Sequence, residues 1–452
     1  MASSKDRTGL GPCPDKVRAL VVGGGGREHA LAWRLSKSPR LEKMWTTNAE
    51  NPGLARLAEA CPVALDHKEL WRLLKWLDQA KVNLVVIGPD AHIAAGLADE
   101  LRAAGRATFG VGKEAAKLEA DKAWAKGLMR SAAIPTAEGR AFSTYDQALQ
   151  YLESRDEVPV IKAAGLAAGK GAYVPATMDE AKAALKEIMR DRIFGDAGNT
   201  VVIEERLAGP ELSVTALVDG KSIYVLETAQ DHKRAFEGDR GPNTGGMGTY
   251  SPVAFADEKL MSRIEHEILV PTLDALRREE IDYRGVLYAG LMITPGGPKV
   301  LEFNARFGDP ETQSLMLRFR GDLAEVMWAT AAGRLDEVQI DWDPRAACCI
   351  IMAAEGYPGK SAAGKTITGL DSLDLGDDLQ VFMAGARRDE STGGLVTAGG
   401  RVLGVTALGE TVTRAREHAL QACRIIKFDG AFWRKDIGWQ SIDAPAASPR
   451  KA

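Results

Sequence analysis

Two rhythms of apolar and polar positions alternate along the N-terminal part of the chain. Val17 to Val22 is a nearly unbroken apolar run and reads as a strand buried on both faces. Gly23-Gly24-Gly25-Gly26-Arg27-Glu28-His29 follows, and Ala30 to Leu35 then carries the apolar period of a helix. Lys43 to Thr47 reads as a second strand, Glu69 to Ala80 as a second helix and Val82 to Ile87 as a third strand. Gly88-Pro89-Asp90 closes that strand and opens a helix expected over Ala91 to Ala104. Such a βαβαβ rhythm predicts a parallel sheet covered on both faces. Ligands in such sheets sit beyond the carboxyl ends of the strands, where both glycine turns fall.

The glycine run lets the backbone approach an anion closely and starts a helix whose N-terminus favours negative charge. It departs from the dinucleotide fingerprint, because Arg27-Glu28-His29 replaces the last glycine and no acid ends the second strand. A phosphate-bearing substrate and a purely structural turn both fit it better. A second glycine-rich element, Ala163-Ala164-Gly165-Leu166-Ala167-Ala168-Gly169-Lys170-Gly171, lies between the strand ending at Lys162 and a strand over Ala172 to Pro175. It is not a Walker A loop, since Gly171 follows the lysine and a strand comes next. Either it is a mobile empty loop, or its amides close over phosphates with Lys162 and Lys170 supplying charge. Val201 to Glu204, a turn at Gly209-Pro210 and a returning strand from Glu211 read as a β-hairpin. Its strand-to-turn junction could offer backbone groups to a flat heterocycle, with Glu211 accepting from ribose hydroxyls.

The densest chemistry lies in Val300-Leu301-Glu302-Phe303-Asn304-Ala305-Arg306-Phe307-Gly308-Asp309-Pro310-Glu311. In a strand, Glu302, Asn304 and Arg306 share one face and Leu301, Phe303 and Ala305 the other. A carboxylate beside an amide oxygen suits Mg²⁺, which takes oxygen ligands and keeps waters and phosphate oxygens. Arg306 could hold a phosphoryl oxygen or carboxylate. An ordinary edge strand with a solvated polar face is the alternative.

Composition narrows the frame. At 452 residues the chain exceeds a single core, and about 150 residues per domain gives roughly three domains. A net charge of −4 argues against nucleic acid as the main partner, and no apolar run approaches a membrane span. Five cysteines without metal-ligand spacing read as reduced thiols of a cytoplasmic protein. Met1 to Asp15 is polar, which fits a loose tail rather than a secretory signal.

Taken in order, several stretches carry a family resemblance. They are Gly26-Arg27-Glu28-His29-Ala30-Leu31, Gln230-Asp231-His232-Lys233-Arg234-Ala235, Gly241-Pro242-Asn243-Thr244-Gly245-Gly246-Met247-Gly248 and Arg306-Phe307-Gly308-Asp309-Pro310-Glu311. Gly399-Gly400-Arg401-Val402-Leu403-Gly404-Val405 and Asp429-Gly430-Ala431-Phe432 join them. The chain resembles the glycinamide ribonucleotide synthetases (phosphoribosylamine–glycine ligases) of the ATP-grasp superfamily from about Val17 to Trp439. The resemblance implies an α/β and α+β multidomain fold: a tail over 1–16, an N-terminal parallel α/β domain over 17–118, an ATP-grasp domain over 119–340 with a lid over about 136–205, a C-terminal α+β domain over 341–440, and a tail over 441–452. No second enzyme is expected beyond Trp439.

The implied reaction joins glycine to 5-phosphoribosylamine through glycyl phosphate, with ATP as co-substrate, in de novo purine synthesis. Glu302 and Asn304 match the Mg²⁺ (or Mn²⁺) ligands. Lys122 and Lys162 would neutralise phosphates under a flap holding Gly165, Gly169, Lys170 and Gly171, with Glu204 and Leu207 at the adenine edge and Glu211 on the ribose. Arg306 and Asp309 would orient the acyl phosphate and the amine, while Asp231, Lys233 and Arg234 suit glycine or phosphoryl contacts. Gly25, Gly26, Arg27, Glu28 and Asp90 would line the ribosylamine phosphate pocket with Gly400 and Arg401. Partners are these small molecules, and a monomer is expected. Departures from the family pattern fall at Ala164, Asp90, His92-Ile93, Val111, Asp121, Met383 and Ala398. Another ATP-grasp ligase with a changed acid or amine, and a nucleotide-binding protein without turnover, are the alternatives.

Overall fold

The computed structural model describes residues 8–167 and 169–441, so the sequence-based tail readings lie outside it for 1–7 and 442–452. Five parallel strands open the chain: β1 (Val17–Val22), β2 (Leu41–Thr46), β3 (Glu59–Ala60), β4 (Leu84–Ile87) and β5 (Ala107–Phe109), in the order β3-β2-β1-β4-β5. Every residue of β1 but Arg18 is buried, which is what an apolar run inside a doubly covered sheet requires. Helix α1 (Gly26–Leu35) begins inside the glycine run rather than after it, because Glu28 closes a capping box on Gly25. Helix α2 is Leu70–Ala80. The single helix expected over Ala91 to Ala104 is two, α3 (Asp90–Ala94) and α4 (Leu97–Ala103). Gly96 between them has φ +86°, a left-handed conformation that ends one helix and starts the next. Residues Thr8 to Gly11, expected in a loose tail, rest on a later helix through Thr8 and the Gly11 carbonyl.

Two helices, α5 (Lys113–Ala120) and α6 (Lys122–Ser131), lead to a small four-stranded sheet. Asp121 caps α6 by accepting from the Ala123 and Trp124 amides. The small sheet holds β6 (Gly139–Phe142), β7 (Val160–Ala163), β8 (Ala172–Tyr173) and β9 (Val201–Glu204), ordered β6-β9-β7-β8 and backed by α7 (Tyr145–Glu153) and α8 (Met178–Met189). Leu152, Ile161, Leu185 and Ile203 belong to a core of its own.

A larger antiparallel sheet follows, with β10 (Glu211–Asp219), β11 (Ile223–Val225), β12 (Arg284–Thr294) and β13 (Gly297–Asn304) in the order β11-β10-β12-β13. The expected hairpin of Val201–Glu204 with the strand from Glu211 is therefore absent: β9 pairs β6 and β7, whereas β10 pairs β11 and β12. Each strand is taken up by two partners of its own sheet, and residues 205–210 become a strap between two sheets. Gly209 has φ +149° and a Cβ there would meet the Ile293 carbonyl oxygen, so both backbone conformation and space call for glycine. Helices α9 (Glu311–Arg318) and α10 (Leu323–Ala332) pack behind. The last unit centres on β14 (Ala346–Ala353), β15 (Leu379–Met383) and β16 (Arg401–Gly409), joined by Gln230–Asp231 and Gly248–Ser251, with α11 (Val412–Ile425) on one face. One buried cluster holds Leu20 and Val85 with Leu212 and Val300, so the N-terminal sheet and the larger sheet share a core.

Candidate active site

A cavity of about 710 Å³ lies between the small sheet, the larger sheet and the segment 230–245. Leu301, Glu302, Phe303 and Asn304 of β13 contribute to its wall. Simple alternation fails at one place. Val300 pairs Leu291 and Glu302 pairs Gly290, so Leu301 bulges out of register and joins the cavity side instead of the opposite face. The Leu301 carbonyl thereby becomes an acceptor for Lys162 Nζ at 2.9 Å. Phe303 and Ala305 are buried, as alternation requires.

Cations converge on this strand. Lys162 Nζ also lies 2.7 Å from Glu204, whose other oxygen is 2.7 Å from Lys126. Lys126 completes its shell with the Thr136 hydroxyl and the Ala137 carbonyl, both at 2.8 Å. A carboxylate buried between two ammonium groups keeps its charge only because both are in contact. Burial raises the Glu204 carboxyl, but Lys162 and Lys126 hold it below its ordinary range. Two N–H groups of Lys162 are thus engaged, and the third is left for the cavity. Lys122 donates to the Gly165 carbonyl at 3.3 Å, and burial lowers its pKa. Lys233 sits 3.1 Å from Glu211 and 3.5 Å from Glu302. Burial works against the Glu302 carboxylate, yet Lys233, Lys162 and Lys122 together hold its pKa to about 2. Arg306 Nη2 donates to Asn304 Oδ1 at 3.1 Å and pairs with Glu119 at 2.8 Å.

Acids gather on the opposite wall. Glu311 Oε1 accepts from the Ser213 hydroxyl at 3.0 Å and the Tyr288 hydroxyl at 2.8 Å. Asp231 Oδ1 is buried without a hydrogen-bond partner, and burial, with Glu311 nearby, raises that carboxyl well above its ordinary value. Asp309 accepts from Gln313 at 2.9 Å and lies 3.4 Å from Arg401 Nη2. Burial raises the Asp309 carboxyl, but Arg401 and Arg27 hold it down. Arg401 Nη1 donates to the carbonyls of Gly245 at 2.6 Å and Asp309 at 2.7 Å. From the other side, Arg27 Nη1 donates to the Phe307 carbonyl at 3.1 Å. The first glycine turn and the C-terminal sheet therefore meet at the 306–311 loop.

The phosphoribosylglycinamide synthetase N domain matches residues 17–119, its ATP-grasp (A) domain residues 120–312 and its C domain residues 347–440. The phosphoribosylamine–glycine ligase of Rhodopirellula baltica is 46% identical over 435 residues, spanning 94% of this chain and 98% of that one. The chain belongs to the phosphoribosylglycinamide synthetase family. The Escherichia coli O157:H7 phosphoribosylamine–glycine ligase is 45% identical over 428 residues, covering 94% of this chain and 99% of its own. A crystal structure of the Thermotoga maritima phosphoribosylamine–glycine ligase superposes with a TM-score of 0.79 at 32% identity, covering 93% of this chain and all of that one. Biotin carboxylase of Campylobacter jejuni, at 14% identity and a TM-score of 0.71, shares the fold.

In this synthetase-family chain the cavity wall collects Asp90, Lys122, Lys162, Gly169, Gly171, Glu204, Leu207 and Glu211. Asp231, Lys233, Arg234, Glu302, Asn304, Arg306 and Asp309 join them. The remaining candidates stand elsewhere. Gly165 is packed on Ala197, and Lys170 points to solvent. Glu28 is turned inward, one oxygen on the Gly25 amide at 2.7 Å and the other on Arg27 Nε at 2.7 Å, so it shapes the turn rather than facing the cavity. Gly25, Gly26, Gly400 and Arg401 lie behind the wall formed by Asp309 and Gly245. Three of the family departures carry main-chain contacts that any side chain would supply. The Ala164 carbonyl accepts from the Lys122 amide, and the Met383 amide donates to His29 Nδ1, both at 2.8 Å. The Ala398 amide donates to the Gly385 carbonyl at 2.7 Å.

Several functional neighbours escape a reading of the sequence. Glu119 and Lys126 lie on helices whose charged positions look like solvated faces, and no local signal shows that β13 and β9 cover them. Glu311 could have been found, because it stands at the start of a helix one residue after Pro310. Trp439 and Gln440, at the very end of the expected C-terminal domain, line the cavity, and Gln440 Oε1 lies 3.1 Å from His232 Nε2.

Proposed function

We propose that this chain joins glycine to 5-phosphoribosylamine in purine biosynthesis, with ATP as co-substrate and ADP and phosphate as products. The observation that carries this reading is the convergence of Lys122, Lys162 and Lys233 on Glu302, in a cavity roofed by a small sheet with its own core. Such a site suits a polyphosphate whose charge must be neutralised away from water.

The donor set fits a hard divalent cation. Glu302 is held ionised, and Asn304 turns its oxygen to Arg306, since a guanidinium can only donate. Among the described residues no cluster of three or more His, Cys, Asp or Glu forms a metal cage. That agrees with Mg²⁺, which usually takes one or two protein carboxylates plus phosphates and waters. Glu302 and Asn304 would hold Mg²⁺ or Mn²⁺, which when bound neutralises phosphoryl oxygens.

Lys122 and Lys162 bind the phosphates, and the strap at Glu205–Leu207 takes the adenine edge. A glycine carboxylate oxygen attacks the γ-phosphorus, breaking its bond to the bridging oxygen of ADP and forming glycyl phosphate. The amine nitrogen then attacks the glycyl carbonyl carbon, phosphate leaves with the C–O bonding pair, and the nitrogen loses a proton. Asp231 would meet the glycine ammonium, and Asp309 would orient the amine. Arg306 holds the acyl phosphate in place, and the small sheet excludes water from it. The reading includes a cytoplasmic location and a monomer, and sedimentation of the purified chain tests the monomer. No helix among the described residues is long and apolar enough to cross a membrane.

The deciding experiment measures phosphate release from ATP with glycine and freshly made phosphoribosylamine. Release only when both are present is expected. Release with glycine alone, or with another amine at the same rate, would refute the assignment of substrates.

A further inference from the structure

Glu119 lies near the end of α5, buried against the end of β13 at the edge of the cavity wall. Its two oxygens reach consecutive residues just past β13. Oε2 accepts the Ala305 amide at 2.8 Å, and Oε1 pairs with Arg306 Nη2 at 2.8 Å. Among the described residues it is the one acid paired with Arg306. Arg306 Nη2 also donates to Asn304 Oδ1 at 3.1 Å, and Nη1 donates to the Phe307 carbonyl at 3.2 Å. Arg306 Nε is buried with no partner. A buried guanidinium with a free donor stays in place only if its other donors are fixed, and a planar fork transmits that fixing to every group it touches.

We propose that Glu119 is a positioning residue for the metal and phosphoryl site. By clamping both the Ala305 amide and Arg306, it holds the guanidinium on Asn304 Oδ1 and so fixes the Asn304 amide on the face it shares with Glu302. The inference rests on the ATP-dependent ligase reading, and it adds a residue to which that reading gives no role. Its chemistry is that of a carboxylate acting on the ligand Asn304 through Arg306, and loss of an outer-shell partner typically weakens metal binding or activity by about 10- to 100-fold.

The test is Glu119→Gln in the full chain, which keeps an acceptor for the Ala305 amide and removes the charge. Mn²⁺ binding is measured with ATP present and neither glycine nor amine added, by the electron paramagnetic resonance of free Mn²⁺. The expected result is Mn²⁺ affinity about 10- to 100-fold weaker, with kcat reduced and the KM for phosphoribosylamine within about twofold of wild type. The double variant with Arg306→Lys should lose no more Mn²⁺ affinity than the weaker-binding single variant, because both act through one contact. Unchanged Mn²⁺ affinity, or losses that multiply in the double variant, would overturn the proposal. Should Glu119→Gln fail to fold, Glu119→Asp keeps the charge but shortens the reach. Weaker Mn²⁺ binding at an unchanged melting temperature supports the proposal, and unaltered binding overturns it. Because no glycine or amine is present, a wrong choice of substrates would appear in phosphate release and leave this binding result standing.

Discussion

Arg401→Ala separates the amine half of the site from the nucleotide half. In the structure Arg401 reaches from β16 to two carbonyls on different loops, Gly245 at 2.6 Å and Asp309 at 2.7 Å, and Nη2 stands 3.4 Å from the Asp309 carboxylate. Each hydrogen bond from a charged donor is worth about 1.5–3 kcal/mol when its loss leaves the partner dry. The Arg401 side chain is 21% exposed, so water can reach the vacated space and the combined loss should stay near the value of one such bond, about 1.5–3 kcal/mol. If that loss falls on the placement of Asp309 against the amine, kcat/KM for phosphoribosylamine drops about ten- to hundredfold. In the proposed reading ATP sits against the strap, the small sheet and β13, none of which Arg401 touches, so its KM should stay within about twofold. Steady-state rates of phosphate release with each substrate varied in turn supply the numbers. Calorimetric binding of ATP without the amine checks the nucleotide half alone. Arg401→Lys keeps the charge but cannot bridge both carbonyls, so it should fall between wild type and the alanine variant. Losses of equal size for ATP, glycine and the amine would refute the separation, as would no loss for any of them.

Glu302→Gln should weaken Mn²⁺ binding in the presence of ATP and lower kcat at least tenfold, since one charged oxygen of a two-donor site is lost; wild-type Mn²⁺ affinity would exclude Glu302 as a ligand. Gly169 has φ +74° with open space around it, so Gly169→Val strains the loop and should slow turnover and raise the ATP KM, whereas Gly165→Ala should lower stability instead because Ala197 lies against it. Equal kinetics in Gly169→Val would leave the loop without a role over phosphates. The Asp231 carboxyl is held above its unfolded pKa, so its contribution to stability is full below that unfolded value and is lost as pH rises through the folded one. Asp231→Asn should therefore raise the melting temperature relative to wild type more at pH 8 than at pH 4 while weakening glycine use; a difference independent of pH would contradict the burial of that charge.

Much of this architecture was legible because its signals are local. The apolar run of β1 and the glycine turn after it mark a parallel sheet without any partner in view. The same holds for Glu302 and Asn304, two residues apart on one strand. What escaped depends on competition between distant segments. Val201–Glu204 and the strand from Glu211 look like a hairpin, yet each pairs with two other strands instead. The bulge at Leu301 is set by the register with β12, and nothing in the run Val300 to Asn304 announces it. Glu28 reads as a pocket acid until the turn folds and its carboxylate caps Gly25 and meets Arg27. Glu119 and Lys126 needed the opposite correction, since ordinary charged positions on short helices became buried anchors.

The strap at 205–210 has a bearing on how this enzyme could change over evolutionary time. Its Arg206 and Leu207 amides make no hydrogen bond among the described residues, and they lie where the two sheets part. A base recognised by main-chain groups is recognised identically whatever side chains occupy those positions. Preference for adenine over guanine would then resist drift by point mutation, because no single residue holds it, and a shift in base choice would demand a change in strap length. Leu207→Ala leaving the ATP-to-GTP ratio intact, with a one-residue deletion in the strap collapsing it, is the pattern such inheritance leaves behind.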